Sequence, residues 1–282
     1  MPSPAAVVGG ALGAGAIGVG SAYLAGAFGG SGSLEVEIEP TKVLLSADSK
    51  FNTDYSTNNL IGKDYGNYLV APVGSTTTGT VETNNKAWWD WSYKRWQRDF
   101  ANQNSNLSEE FKNESKVSSA FSDVSNSSTA LNKVCEAVYK KAKTEITSED
   151  TPNNKAKLRN DLFKYCSIFG ESFKTISEVE EEKSNYGSGN FGSDNTHSKT
   201  LIAVTGNDKF WAKRNEEFYS STGNKKGDDS ASKFFKKFYD ENKTKKKNIR
   251  ERCKEAYKKP SSTAASADES PNLGEVTKFC AI

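Results

Sequence analysis

Cys135-Glu136-Ala137-Val138-Tyr139-Lys140-Lys141 returns downstream as Cys253-Lys254-Glu255-Ala256-Tyr257-Lys258-Lys259. Cys, Tyr, Lys and Lys agree at one offset, and Leu131 aligns with Ile249 at the same offset. Leu131, Val134, Cys135, Val138 and Ala142 fall at helical intervals, as do Ile249, Cys253, Ala256 and Tyr257. The stretch therefore reads as an amphipathic helix that occurs twice, and a repeat has to be settled before any other question of fold.

Working outward, Leu162-Phe163-Lys164-Tyr165-Cys166-Ser167-Ile168 matches Val276-Thr277-Lys278-Phe279-Cys280-Ala281-Ile282. Upstream, Trp89 and Trp96 match Trp211 and Phe218. Trp89, Tyr93, Trp96 and Phe100 share one helix face. Phe234, Phe235 and Phe238 mark another short amphipathic helix. The expected fold is mainly α, with two repeated small helical units over 86–182 and 199–282. The Gly-, Ser- and Asn-rich stretch 183–198 reads as a flexible linker. Residues 34–85 read as extended or loop, except that Leu34–Glu39 alternates like a short β-strand before Pro40.

The 282 residues carry 38 Lys and Arg against 36 Asp and Glu, a net charge of +2 that argues against a dedicated nucleic-acid binder. One histidine, His197, excludes chemistry that needs two imidazoles. Lysine outnumbers arginine heavily, and lysine acts mainly as a solvated point charge. Lys243-Thr244-Lys245-Lys246-Lys247 and Lys258-Lys259 read as a solvated face, with contact to acidic glycans or lipid headgroups as the functional alternative.

No side chain is charged before Glu35. Ala5–Gly29 is long enough, at about 1.5 Å per residue, to cross a hydrocarbon core of about 30 Å. Residues 1–33 are therefore expected to form a membrane anchor or signal segment, with the bulk of the chain outside the cell. Gly13-Ala14-Gly15-Ala16-Ile17-Gly18 fits a dinucleotide-binding pattern. It lacks the buried strand before it and the stable helix after it that such a site needs, so no cofactor is expected.

Cys135, Cys166, Cys253 and Cys280 occupy equivalent places in the two copies. Of the three pairings that four cysteines allow, the repeat selects Cys135 with Cys166 and Cys253 with Cys280. Buried free thiols are the rival reading. Without a C-x-x-C pair, zinc binding is not expected. The stretch Trp88-Trp89-Asp90-Trp91-Ser92-Tyr93-Lys94-Arg95-Trp96-Gln97-Arg98 packs most simply between helices. Trp91, however, aligns with Lys213, so its site need not be buried. An exposed Trp91 beside Lys94, Arg95 and Arg98 would suit a sugar, a nucleobase or a protein partner.

Ala5–Gly29, the helices of Trp89, Trp96 and Trp211, and the segments ending in Cys166 and Cys280 resemble the large paralogous families of uncharacterised proteins in haemotropic mycoplasmas. Cys135 and Cys253 belong to the same pattern. The resemblance implies a membrane-anchored protein displayed on a wall-less cell, for host contact or antigenic variation. Its partners would be the membrane and a host-cell protein or glycan, with no catalytic residue, metal or cofactor. A structural interaction module is the alternative; a hydrolase working through carboxylates is the least favoured.

Overall fold

The structure is a computed structural model that describes residues 39–78, 81–103, 106–146, 153–262 and 270–282. The expected membrane helix at Ala5–Gly29 and nearly all of the expected strand at Leu34–Glu39 lie outside these residues; Glu39 itself is in no strand. Among the described residues no helix is long and apolar enough to cross a membrane.

The described chain is mainly helical. In order, its elements are α1 (Phe51–Asp54), α2 (Ile61–Tyr65), the hairpin strands β1 (Thr76–Thr78) and β2 (Val81–Thr83), α3 (Lys86–Gln103), α4 (Leu131–Tyr139), α5 (Asn154–Tyr165), α6 (Glu180–Lys183), α7 (Asp208–Phe218), α8 (Lys233–Asn242), α9 (Ile249–Tyr257) and α10 (Leu273–Cys280). The two strands pair antiparallel, with Thr77 opposite Glu82. The chain divides into two units, one of Met1–Asn104 with Lys112–Lys143, the other of Ser105–Phe111 with Thr144–Ile282. This is not the expected division at 182 and 199, because α5, with Tyr165 and then Cys166, belongs to the second unit.

The first unit is organised around a short extended pair. Leu45 N–H donates to Leu69 O at 2.8 Å and Ala71 N–H to Val43 O at 3.0 Å. Side chains then lock this pair to the helices. Asn85, just before α3, is 1% exposed. Its carboxamide accepts from Val43 N (2.8 Å) and donates to Val43 O (2.9 Å) and Ala71 O (2.8 Å). The Trp89 indole N–H donates to Ala71 O at 3.2 Å, and the Tyr139 hydroxyl of α4 donates to Val70 O at 2.9 Å. These bonds satisfy main-chain groups that a helix or a full sheet would otherwise have to pair. Tyr55 meets Tyr139 edge-on. Gly62 makes room for this, since a Cβ there would stand 2.5 Å from the Tyr55 ring.

The second unit contains the same set of bonds on other residues. Ile176 N–H donates to Leu201 O and Ala203 N–H to Lys174 O, both at 3.0 Å. The Asn207 carboxamide accepts from Lys174 N (3.0 Å) and donates to Lys174 O (2.9 Å) and Ala203 O (2.9 Å). The Trp211 indole donates to Ala203 O at 3.0 Å, and the Tyr257 hydroxyl to Ile202 O at 2.8 Å. Tyr186 meets Tyr257 edge-on, with Gly192 beneath the Tyr186 ring. A phenylalanine cluster of Phe163, Phe169, Phe173 and Phe210 packs beside this frame.

Two expectations are corrected here. Residues 183–198 are not a flexible linker: Tyr186 and Phe191 are buried, and Phe191 N–H donates to Lys259 O at 2.9 Å. Two large rings anchor this otherwise polar stretch. Residues 34–85 are not simply loop, since α1, α2 and the β1–β2 hairpin stand there and Val43–Leu45 and Leu69–Ala71 are buried.

Candidate functional site

Trp91, Lys94, Arg95 and Arg98 do share one face of α3, as their spacing requires. Trp88, Trp89 and Trp96 are buried. Trp91 is only half-buried, but it is not an open stacking platform. The Arg95 guanidinium carbon stands 4.6 Å from its ring centroid, a cation–π pair one helical turn apart, and Trp88 packs against it at 5.9 Å. Lys94 and Arg98 are exposed. Further along the helix, Tyr93 stacks on Trp96 and Trp96 on Phe100.

All four cysteines are buried and none is free. Cys253 and Cys280 are bonded with Cα atoms 5.7 Å apart, as expected from the sequence, and Cys135 and Cys166 are disulfide-bonded too. The bond from α9 to the end of α10 closes a loop with a sequence separation of 27, worth about 3.5 kcal/mol in the chain-entropy model.

Buried carboxylates serve as internal caps. Asp161 on α5 accepts from Ser108 N at 2.7 Å, and its burial pushes the carboxyl up to about 7 despite that bond. Glu275 on α10 accepts from Ser232 N at 2.8 Å and from the Ser230 hydroxyl. Phe111 packs on Tyr165, and Phe235 on Phe279. Glu182 accepts from the Tyr186 hydroxyl, Val204 N and Thr205 N. Each of these carboxylates holds backbone of its own unit in place. Among the described residues no three His, Cys, Asp or Glu stand together as a metal would need.

An open groove of about 940 Å³ lies in the second unit, between α8 and α9. The Phe234 and Phe235 side chains of α8 turn inward, which leaves Lys233, Lys236 and Lys237 along one lip. Arg252 of α9, with Lys258 and Lys259 just beyond it, forms the other. The Arg252 guanidinium carbon lies 3.5 Å from the Phe234 ring centroid, and its Nε and Nη2 donate to Phe234 O. Lys236 is held by Asp240 and Asp228, and the hydrogen bond it donates to Asp240 leads in keeping its ammonium above the usual lysine value. Lys258 and Lys259 make no ion pair among the described residues. Sequence reading singled out Lys258 and Lys259 but not their partners across the groove. The signal was there in the lysines at 233, 236 and 237, on the side of α8 opposite Phe235 and Phe238. No protein-family model, curated protein or solved structure matches the chain.

Proposed function

We propose that the chain is a non-enzymatic protein displayed at the cell surface, tethered to the membrane by its uncharged N-terminal stretch, and built from two copies of one unit. Its role is contact with a host-cell protein or glycan, or antigenic presentation. The observation that carries the location is the oxidation of all four cysteines, each buried in packed structure. Structural disulfides persist in oxidising compartments and on cell surfaces, and are rare in the cytosol of mesophiles. The recurrence of the Asn, Trp and Tyr bonds to equivalent main-chain groups supports the duplication. Equivalent copies then begin near Val43 and Lys174, upstream of the boundaries the helical pattern suggests. A protein of this kind exposes side chains for recognition and keeps its buried polar groups for architecture, which is how Asp161, Glu182 and Glu275 are used.

Protease shaving of intact producing cells, followed by mass spectrometry of the released peptides, tests the reading. Peptides from 199–282 should be released without lysis. Their appearance only after permeabilisation would overturn it.

A further inference from the structure

We infer that the groove between α8 and α9 binds a linear acidic polysaccharide, a chain bearing repeated sulfate or carboxylate groups. The inference rests on the surface-display reading above and names the ligand class for it.

Charge is the first observation. Residues 233–259 contain twelve Lys and Arg against four Asp and Glu, a local net charge of +8 in a chain whose total is +2. The rest of the molecule is therefore net acidic, and the basic charge is gathered on one helical hairpin. Such a concentration attracts a polyanion even when the whole protein is near neutral. The overall balance, which argues against a nucleic-acid binder, conceals this segregation.

Shape and chemistry choose among polyanions. The cations line two lips of a concave groove, which suits a chain lying along it better than a flat membrane surface. Single-stranded nucleic acid is held by aromatic platforms as well as charge. Here the Phe234 ring is already covered by Arg252, and the lip cations are mainly lysines, point charges that impose no planar geometry. Lys237 is highly exposed, and its pairing to Glu241 spans 3.9 Å, loose enough to exchange for an incoming anion. Lys258 and Lys259 need no exchange at all. Lys236, clasped by two aspartates, shapes the lip.

The test uses the full-length chain on immobilised heparin, with unsulfated dextran, phosphatidylserine-containing vesicles and a single-stranded oligodeoxynucleotide as parallel probes. Heparin should retain the chain in a salt-dependent way and dextran should not. The double variant Lys258→Glu/Lys259→Glu should bind heparin about tenfold more weakly, equivalent to about 1.4 kcal/mol. Lys50→Glu/Lys116→Glu makes the same charge change in the first unit and should leave binding within about twofold of the parent. Lys258→Gln/Lys259→Gln, with its cystines mapped, guards against a folding artefact and should fall between the two. Failure of heparin to retain the chain, equal weakening by both reversal variants, or groove-dependent binding to the vesicles or the oligonucleotide in preference to heparin would overturn the assignment. Loss of heparin binding in a chain that is shaved from intact cells defeats the groove alone. Heparin binding by a chain that shaving never reaches defeats the surface reading alone.

Discussion

Asn85 and Asn207 make the same three hydrogen bonds in surroundings that otherwise differ. Asn85 is sealed in the first unit and follows the β1–β2 hairpin, whereas Asn207 is half-buried, sits at φ 56° and follows Ala203 after only a short turn. Beyond the helix that each one starts, the difference widens. After α3 the described chain forms no α-helix until α4, but between α7 and α9 it forms α8, the basic lip of the groove. Ser108-Glu109-Glu110-Phe111, itself part of the second unit, is held much as Ser232-Lys233-Phe234-Phe235 is: each serine N–H donates to a buried carboxylate and each phenylalanine packs on an aromatic ring, but the residues between them are acidic in the one and basic and aromatic in the other. The frame is held by a few side chains bonded to main chain, so the segments threaded through it can become a loop or a charged helix without disturbing it.

The comparison can be broken most forcefully by pH. Asp161, buried at about 7, has an ordinary value of about 3.9 when the chain unfolds, a linkage on the order of 4 kcal/mol. Between those values the folded state holds the extra proton, so stability should fall as pH rises from about 4 to about 7. Thermal melts of Asp161→Asn should lose that part of the pH slope; an unchanged slope would show that Asp161 and Ser108 do not form the cap described. Next, Cys253→Ala/Cys280→Ala should cost about 3.5 kcal/mol in denaturant midpoint, since α10 loses its covalent closure. Asn85→Ala should then cost about 3 kcal/mol and Asn207→Ala about 2, because buried main-chain partners lose more than partly wetted ones. Equal losses would mean that burial does not separate the two sites. Smallest, Tyr139→Phe and Tyr257→Phe should each cost about 1 kcal/mol. The second should cost slightly more, as its hydroxyl also reaches Cys280 O at 3.1 Å.

Much of the helical part was readable from period alone. α3, α4, α7, α8 and α9 follow apolar residues at helical spacing, and the second cystine follows from the matched positions of Cys253 and Cys280. What escaped has no period. Val43–Leu45 and Lys174–Ile176 are short extended pieces whose partners lie far along the chain, and nothing local in Lys174-Thr175-Ile176 marks it as framework. The stretch 183–198 is polar in composition yet pinned by Tyr186 and Phe191. At the candidate site, the lysines at 258 and 259 could be seen as charge, but a groove exists only once α8 and α9 lie side by side. Trp91 looked available because its counterpart is Lys213; its own neighbour four residues on, Arg95, covers it.

The bonds that hold the frame join particular side chains to anonymous main-chain groups. Asn85, Trp89 and Tyr139 present specific side-chain atoms, whereas Val43, Val70 and Ala71 offer only main-chain groups, carbonyl oxygens and the Val43 N–H, that almost every residue possesses. Mutational drift is thereby made lopsided: the positions that lend only main chain can vary, as the difference between Val43 and Lys174 illustrates, while the side chains that bond to them cannot. Descendants of such a unit would keep a thin scatter of fixed letters, Asn, Trp, Tyr, Cys and a glycine under a ring, in a background free to diverge. Kinship among them would be legible in the spacing of those letters long after overall identity had faded.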